Sequence, residues 1–90
     1  MKQFTATCEV FGLVPVKTNE IVPEYELGDI SSYKTRPDAN DMLHVTGVYQ
    51  VKVKAPALKE ALGAAQAAYK EAKFGELQDY YRNAFKIQEA

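Results

Sequence analysis

Ninety residues, 47% hydrophobic and 26% charged, are enough for one small domain, too few for a second, and too apolar for a disordered tail. A net charge of −1 and a pI near 5.8 lack the overall basic signature of nucleic-acid-binding domains, which counts against such a partner. The single Cys8 excludes an intramolecular disulfide, the single His44 excludes the usual Cys/His metal sets, and no run approaches the roughly 18 apolar residues of a membrane span.

The chain starts with alternation. Phe4, Ala6, Cys8 and Val10 interleave with Thr5, Thr7, Glu9 and Phe11, which predicts a strand over Gln3–Phe11 and argues against a signal peptide. Gly12 marks a bulge or a bend, and Pro15 pushes any extension toward an edge or a strand end. Cys8 falls on the inward side, as a small core residue.

Residues Asn19 to Leu43 read as a long insertion. Pro23, Gly28, Pro37 and the run Asp38-Ala39-Asn40-Asp41 punctuate it, and Ile21, Val22, Tyr25, Leu27, Ile30 and Tyr33 give it apolar content. An ordered loop is expected, with one short strand around Glu24 to Leu27. Six acids, Glu20, Glu24, Glu26, Asp29, Asp38 and Asp41, stand against Lys34 and Arg36, so the segment carries −4 and the remainder +3.

His44 to Ala55 alternates again, with Val45, Tyr49, Val51 and Val53 on one side and Thr46, Gln50, Lys52 and Lys54 on the other. Pro56 then ends this second strand and suits the first position of a helix. From about Ala57 to Lys73, the residues Leu58, Ala61, Leu62, Ala65, Ala68, Tyr69 and Ala72 form one apolar stripe, while neither Ala55 nor Pro56 offers a capping oxygen. Gly75 terminates the helix between the apolar anchors Phe74 and Leu77. Asp79 to Glu89 is a third strand with Tyr81, Phe85 and Ile87 toward the core.

The expected fold class is α+β, a single domain over residues 1–90. It has a small three-stranded, mainly antiparallel sheet in the order 2-1-3, one helix packed on one face, and a long loop insertion (19–43) between strands 1 and 2. So small a sheet makes self-association as a homodimer plausible.

The V-x-V strand followed by Ala55 to Ala61, and then the run Tyr69 to Asp79 containing F-G-E-L-x-D, resembles the short β-β-α-β proteins of the DpnD/PcfM type found in phages and mobile elements. The resemblance covers the chain from Val45 onward. It implies a fold and a phage or mobile-element setting, and it brings no catalytic or binding residues. Pro56-Ala57 stand where that pattern has a polar cap, and the 19–43 insertion lies outside it.

The chemistry-bearing residues form no catalytic signature: there is no Gly-rich phosphate loop, HExxH or CxxC. His44 beside Asp41 offers a general base, but a solitary histidine at the mouth of a strand is more often a satisfied polar residue, and no enzyme is expected. Glu24, Glu26, Asp29, Asp38 and Asp41 lack the oxygen spacing of a calcium loop, so neither metal nor cofactor is expected. Tyr80 and Tyr81, flanked by Arg82 and Lys86, offer a stacking surface for single-stranded nucleic acid, although alternation places the two rings on opposite faces.

The leading expectation is a non-catalytic, cytoplasmic protein-interaction module that binds an unidentified protein partner through Glu24, Tyr25, Glu26, Asp29 and Tyr33 of the acidic insertion. Its alternatives are an inhibitor of a host nuclease or defence complex, of anti-CRISPR or anti-restriction type, acting through the same insertion, and a single-stranded nucleic-acid binder.

Overall fold

Three of the other four strands pair with β1 (Lys2–Pro15), whose alternation of apolar and polar residues gives it one dry face and one wet face. The computed structural model describes residues 1–17, 24–37 and 41–90. β1 pairs antiparallel along its whole length with β3 (Met42–Ala55), from Lys2 opposite Ala55 to Pro15 opposite Met42. On its other edge β1 takes β4 (Gln78–Arg82) and then β5 (Lys86–Glu89), both antiparallel to it. β2 (Ile30–Pro37) pairs with the outer edge of β3.

The sheet therefore has five antiparallel strands, ordered β2-β3-β1-β4 with β5 also on β1, and the expected three-stranded sheet of order 2-1-3 is overturned. Two local features account for this. The strand expected around Glu24 to Leu27 within the insertion lies instead at Ile30–Pro37, whereas Tyr25 and Leu27 are buried without belonging to one. Short, serine-rich and exposed along nearly its whole length, β2 has no apolar alternation to announce it.

The expected third strand is in fact two. Val10 lies opposite Arg82 and Thr7 opposite Lys86, so three residues, Asn83, Ala84 and Phe85, face only two on β1. The extra residue flips the side-chain faces. Tyr81 consequently sits on the face away from the helix, 66% exposed, while Phe85 joins the core aromatics. Asn83 bridges the break: its Oδ1 accepts the Glu9 N–H at 2.8 Å and its own N–H donates to the Glu9 carbonyl oxygen at 3.1 Å.

Helix α1 (Leu58–Glu71) crosses one face of the sheet. It starts one residue beyond Ala57, which is extended at φ −153° and makes no side-chain cap. Its contact line is Ala61 and Ala65, both fully buried, rather than the leucines: Leu58 is 57% exposed and Leu62 38%. Alanines without side-chain bulk let the helix axis approach the strands, and this rotates the leucines to the flank.

Two apolar clusters fill that face. Phe4, Ala55 and Ala61 close the end where the helix begins. The larger one joins Cys8, Val10, Val14, Tyr25, Leu27, Val45, Tyr49, Phe74 and Leu77. At its centre Tyr49 meets Tyr69 edge-on at 5.6 Å and Phe74 at 5.8 Å, a geometry that aligns ring edges with ring faces.

Candidate functional site: the open face of the sheet

Directly opposed residues in an antiparallel ladder share a face, so the register fixes what the helix-free side presents. One row across the sheet is Lys34, Thr46, Phe11 and Tyr81. The next is Arg36, His44, Leu13 and Gln78. Farther along β1 come Glu9 with Val48 and Ser32, then Thr7 between Gln50 and Lys86, Thr5 between Lys52 and Gln88, and Gln3 beside Lys54.

Five cations thus stand on this face, Lys34, Arg36, Lys52, Lys54 and Lys86, all exposed. The acids among them are Glu9 and, at one margin, Asp79. Glu9 is engaged, its Oε1 accepting from Asn83 Nδ2 at 3.2 Å. Among the described residues the ion pairs are Lys2–Glu89 and Lys17–Glu76, and neither belongs to these rows.

The two rows nearest the end of β1 shape a groove of about 460 Å³, within the usual size of ligand sites and partly open to solvent. Phe11 and Leu13 line it from β1, Lys34 and Arg36 from β2, His44 and Thr46 from β3, and Asp79 and Tyr81 from β4. Phe11 and Tyr81 are stacked, with centroids 5.4 Å apart and planes 28° from parallel. A largely exposed tyrosine stacked on a neighbouring ring offers an aromatic surface, and Lys34 and Arg36 on the far side of the groove add positive potential.

The residues expected to recognise a partner lie on the opposite side and are occupied with the fold. Tyr25 is buried; its Oη donates to the Pro15 carbonyl oxygen at 2.8 Å, and its N–H donates to Tyr33 Oη at 3.2 Å. Asp29 and Lys73 form a reciprocal pair, the Asp29 N–H donating to the Lys73 carbonyl oxygen at 2.8 Å and the Lys73 N–H to Asp29 Oδ2 at 2.9 Å. Glu26 and Glu76 form another, the Glu76 N–H donating to the Glu26 carbonyl oxygen at 2.8 Å and the Glu26 N–H to Glu76 Oε2 at 2.7 Å. Glu26 Oε1 also accepts the Gly28 N–H at 2.8 Å. Glu24 is exposed, with its carbonyl oxygen held by Lys17 Nζ at 2.8 Å.

These bonds clasp the 24–29 segment to the chain beyond the helix. They also hold the Glu76 carboxyl below its usual range, first through the Glu26 N–H and then through Lys17. Asp38, one of the acids considered as a cation ligand, lies outside the described residues, and among those described no group of three or more His, Cys, Asp or Glu could hold a metal ion. Cys8 is buried and its thiol pushed up by desolvation, as befits a core residue. No helix among the described residues is long and apolar enough to cross a membrane.

Phe11, Lys34, Arg36 and Asp79 were not singled out from the sequence. A signal for two of them was present: Ser32, Lys34 and Arg36 alternate with Tyr33 and Thr35, as a strand with one polar face does. Compared with known proteins, the chain matches no family model, no curated protein and no solved structure.

Proposed function

We propose that this chain is a non-catalytic binding module whose helix-free sheet face takes single-stranded nucleic acid. The observation that carries the reading is the stacked Phe11–Tyr81 pair, set in a groove flanked by Lys34 and Arg36. Single-stranded nucleic acid offers what such a surface lacks, unpaired base faces to stack and phosphates to neutralise cations. The remaining cations, Lys52, Lys54 and Lys86, continue the same face along β1. Some 34 Å separate the Arg36 row from the Lys54 row at about 3.4 Å per residue, which accommodates an extended strand. The resemblance to DpnD/PcfM-type proteins adds a phage or mobile-element setting to this reading.

Docking of a protein through Glu24, Tyr25, Glu26, Asp29 and Tyr33 has less support, because most of those groups already serve intramolecular bonds. The same applies to a nuclease or defence-complex inhibitor acting through that segment.

Fluorescence anisotropy with a labelled mixed-sequence DNA strand tests the proposal. Tyr81→Ala should weaken binding by about fivefold to a hundredfold, the range expected for losing one stacked base, and Lys34→Glu with Arg36→Glu should weaken it further. Since Tyr81 is mostly exposed, its truncation leaves the fold intact, which circular dichroism checks. Absence of binding, or binding indifferent to both changes, would overturn the reading.

A further inference from the structure

The groove holds one group that a purely electrostatic polyanion site would avoid. Leu13 lies opposite Gln78 and Phe11 opposite Tyr81, so two residues of β4 face the single Gly12 on β1. Tyr80 turns to the helix side, where its ring meets Phe74 edge-on at 4.9 Å. Asp79 is left as the additional residue of a bulge, at φ 50°, and it lines the groove opposite Lys34, Arg36 and His44. Bulges with a left-handed residue re-aim side chains, and here the re-aimed group is a carboxylate.

Facing a nucleic acid, a carboxylate repels phosphates and every carbonyl acceptor, and is stabilised only by a donor. In single-stranded DNA the donors are base N–H groups. Thymine's is N3–H, set between the O2 and O4 carbonyls that repel a carboxylate, whereas cytosine presents an exocyclic amino group where thymine presents O4, and aspartate accepts from that amino group.

Building on the proposed nucleic-acid reading, we infer that Asp79 is a specificity-determining residue that favours amino-bearing bases, cytosine over thymine in particular, at the base stacked on Tyr81. Lys34 and Arg36 hold the neighbouring phosphates, so base choice and backbone affinity reside in different side chains.

The test compares oligodeoxycytidine with oligothymidine of equal length at fixed ionic strength, on the whole chain and its Asp79→Asn variant. Asparagine tolerates the left-handed backbone as aspartate does, so the fold is retained, but its amide offers both an acceptor and a donor. The unaltered protein should hold the cytidine strand about fivefold more tightly or better, the lower end of discrimination by a good base contact. In Asp79→Asn the ratio should fall close to one, chiefly because the thymidine strand binds better once the charge is gone. If both strands bind but the ratio is the same in the two proteins, or is near one from the start, Asp79 only serves the turn and the inference fails while the nucleic-acid reading survives. If neither strand binds, both fall.

Discussion

Gly28 and Gly75 show how much of this fold depends on single atoms. Each sits in the left-handed region, φ 56° and 55°, and each lies against a backbone carbonyl of the other's segment, Gly28 against Lys73 and Gly75 against Glu26. A Cβ at either position would collide with that carbonyl oxygen. Gly75→Ala should therefore cost about 3 kcal/mol, measured by urea denaturation, from a strained dihedral combined with a steric clash. Glu76, in the same clasp, gives a pH signature. Its carboxyl is depressed in the folded state, so its contribution is present above the unfolded value near 4.5 and is lost as pH falls through the folded one. Glu76→Gln should lower the thermal midpoint at neutral pH and make little difference in strong acid. The sign reverses for Cys8, Tyr49 and Tyr69, all raised chiefly by burial. Their contribution is complete below the unfolded values, 9.0 for the thiol and 10.0 for the phenols, and declines as pH rises beyond them.

The helix separates two kinds of apolar residue that share one stripe in the sequence. Ala61 and Ala65 touch the sheet, whereas Leu58 and Leu62 border a groove with Phe85 and Ile87. Ala65→Leu should thus overpack the interface and cost about 1 to 3 kcal/mol, while Leu62→Lys should change stability by only about 0.5 kcal/mol or less. The opposite ranking in a denaturant series would put the leucines at the contact. Period and punctuation made β1, β3 and the helix legible, because Phe4-Ala6-Cys8-Val10, Val45 to Val53 and the alanine spacing each repeat at the interval their element imposes. What periodicity cannot encode is a shift of one residue. The bulges at Ser31, at Asp79 and at the Asn83–Phe85 break each reverse the faces that follow, and the last two set Tyr81, expected in the core, on the exposed face. The candidate site was illegible for the same reason: it is assembled by register across four strands, two of which are short and lack apolar alternation.

At the scale of the whole molecule, a net charge of −1 conceals a division between faces. The open face gathers five of the eleven basic residues, while Glu24, Glu26, Asp29 and Glu76 are drawn into or around the clasp on the other side. The exposed outer strand β2 carries Lys34, Arg36 and a terminal Pro37 together with a bulge at Ser31, devices that discourage another strand from adding to that edge and so weigh against self-association there. The division also makes the overall charge a poor guide to binding, since counterions are released locally from each neutralised phosphate. With five cations along the face and about 0.7 counterions released per phosphate on a single strand, log K should fall with log salt at a slope of about −3.5. Replacing Lys52 and Lys54 with glutamine should flatten that slope by about 1.4 while leaving the base ratio at Asp79 unaltered. A slope near zero in the unaltered protein would mean that stacking acts without the cations, and an unchanged slope in the double variant would confine the ligand to the groove beside Phe11 and Tyr81.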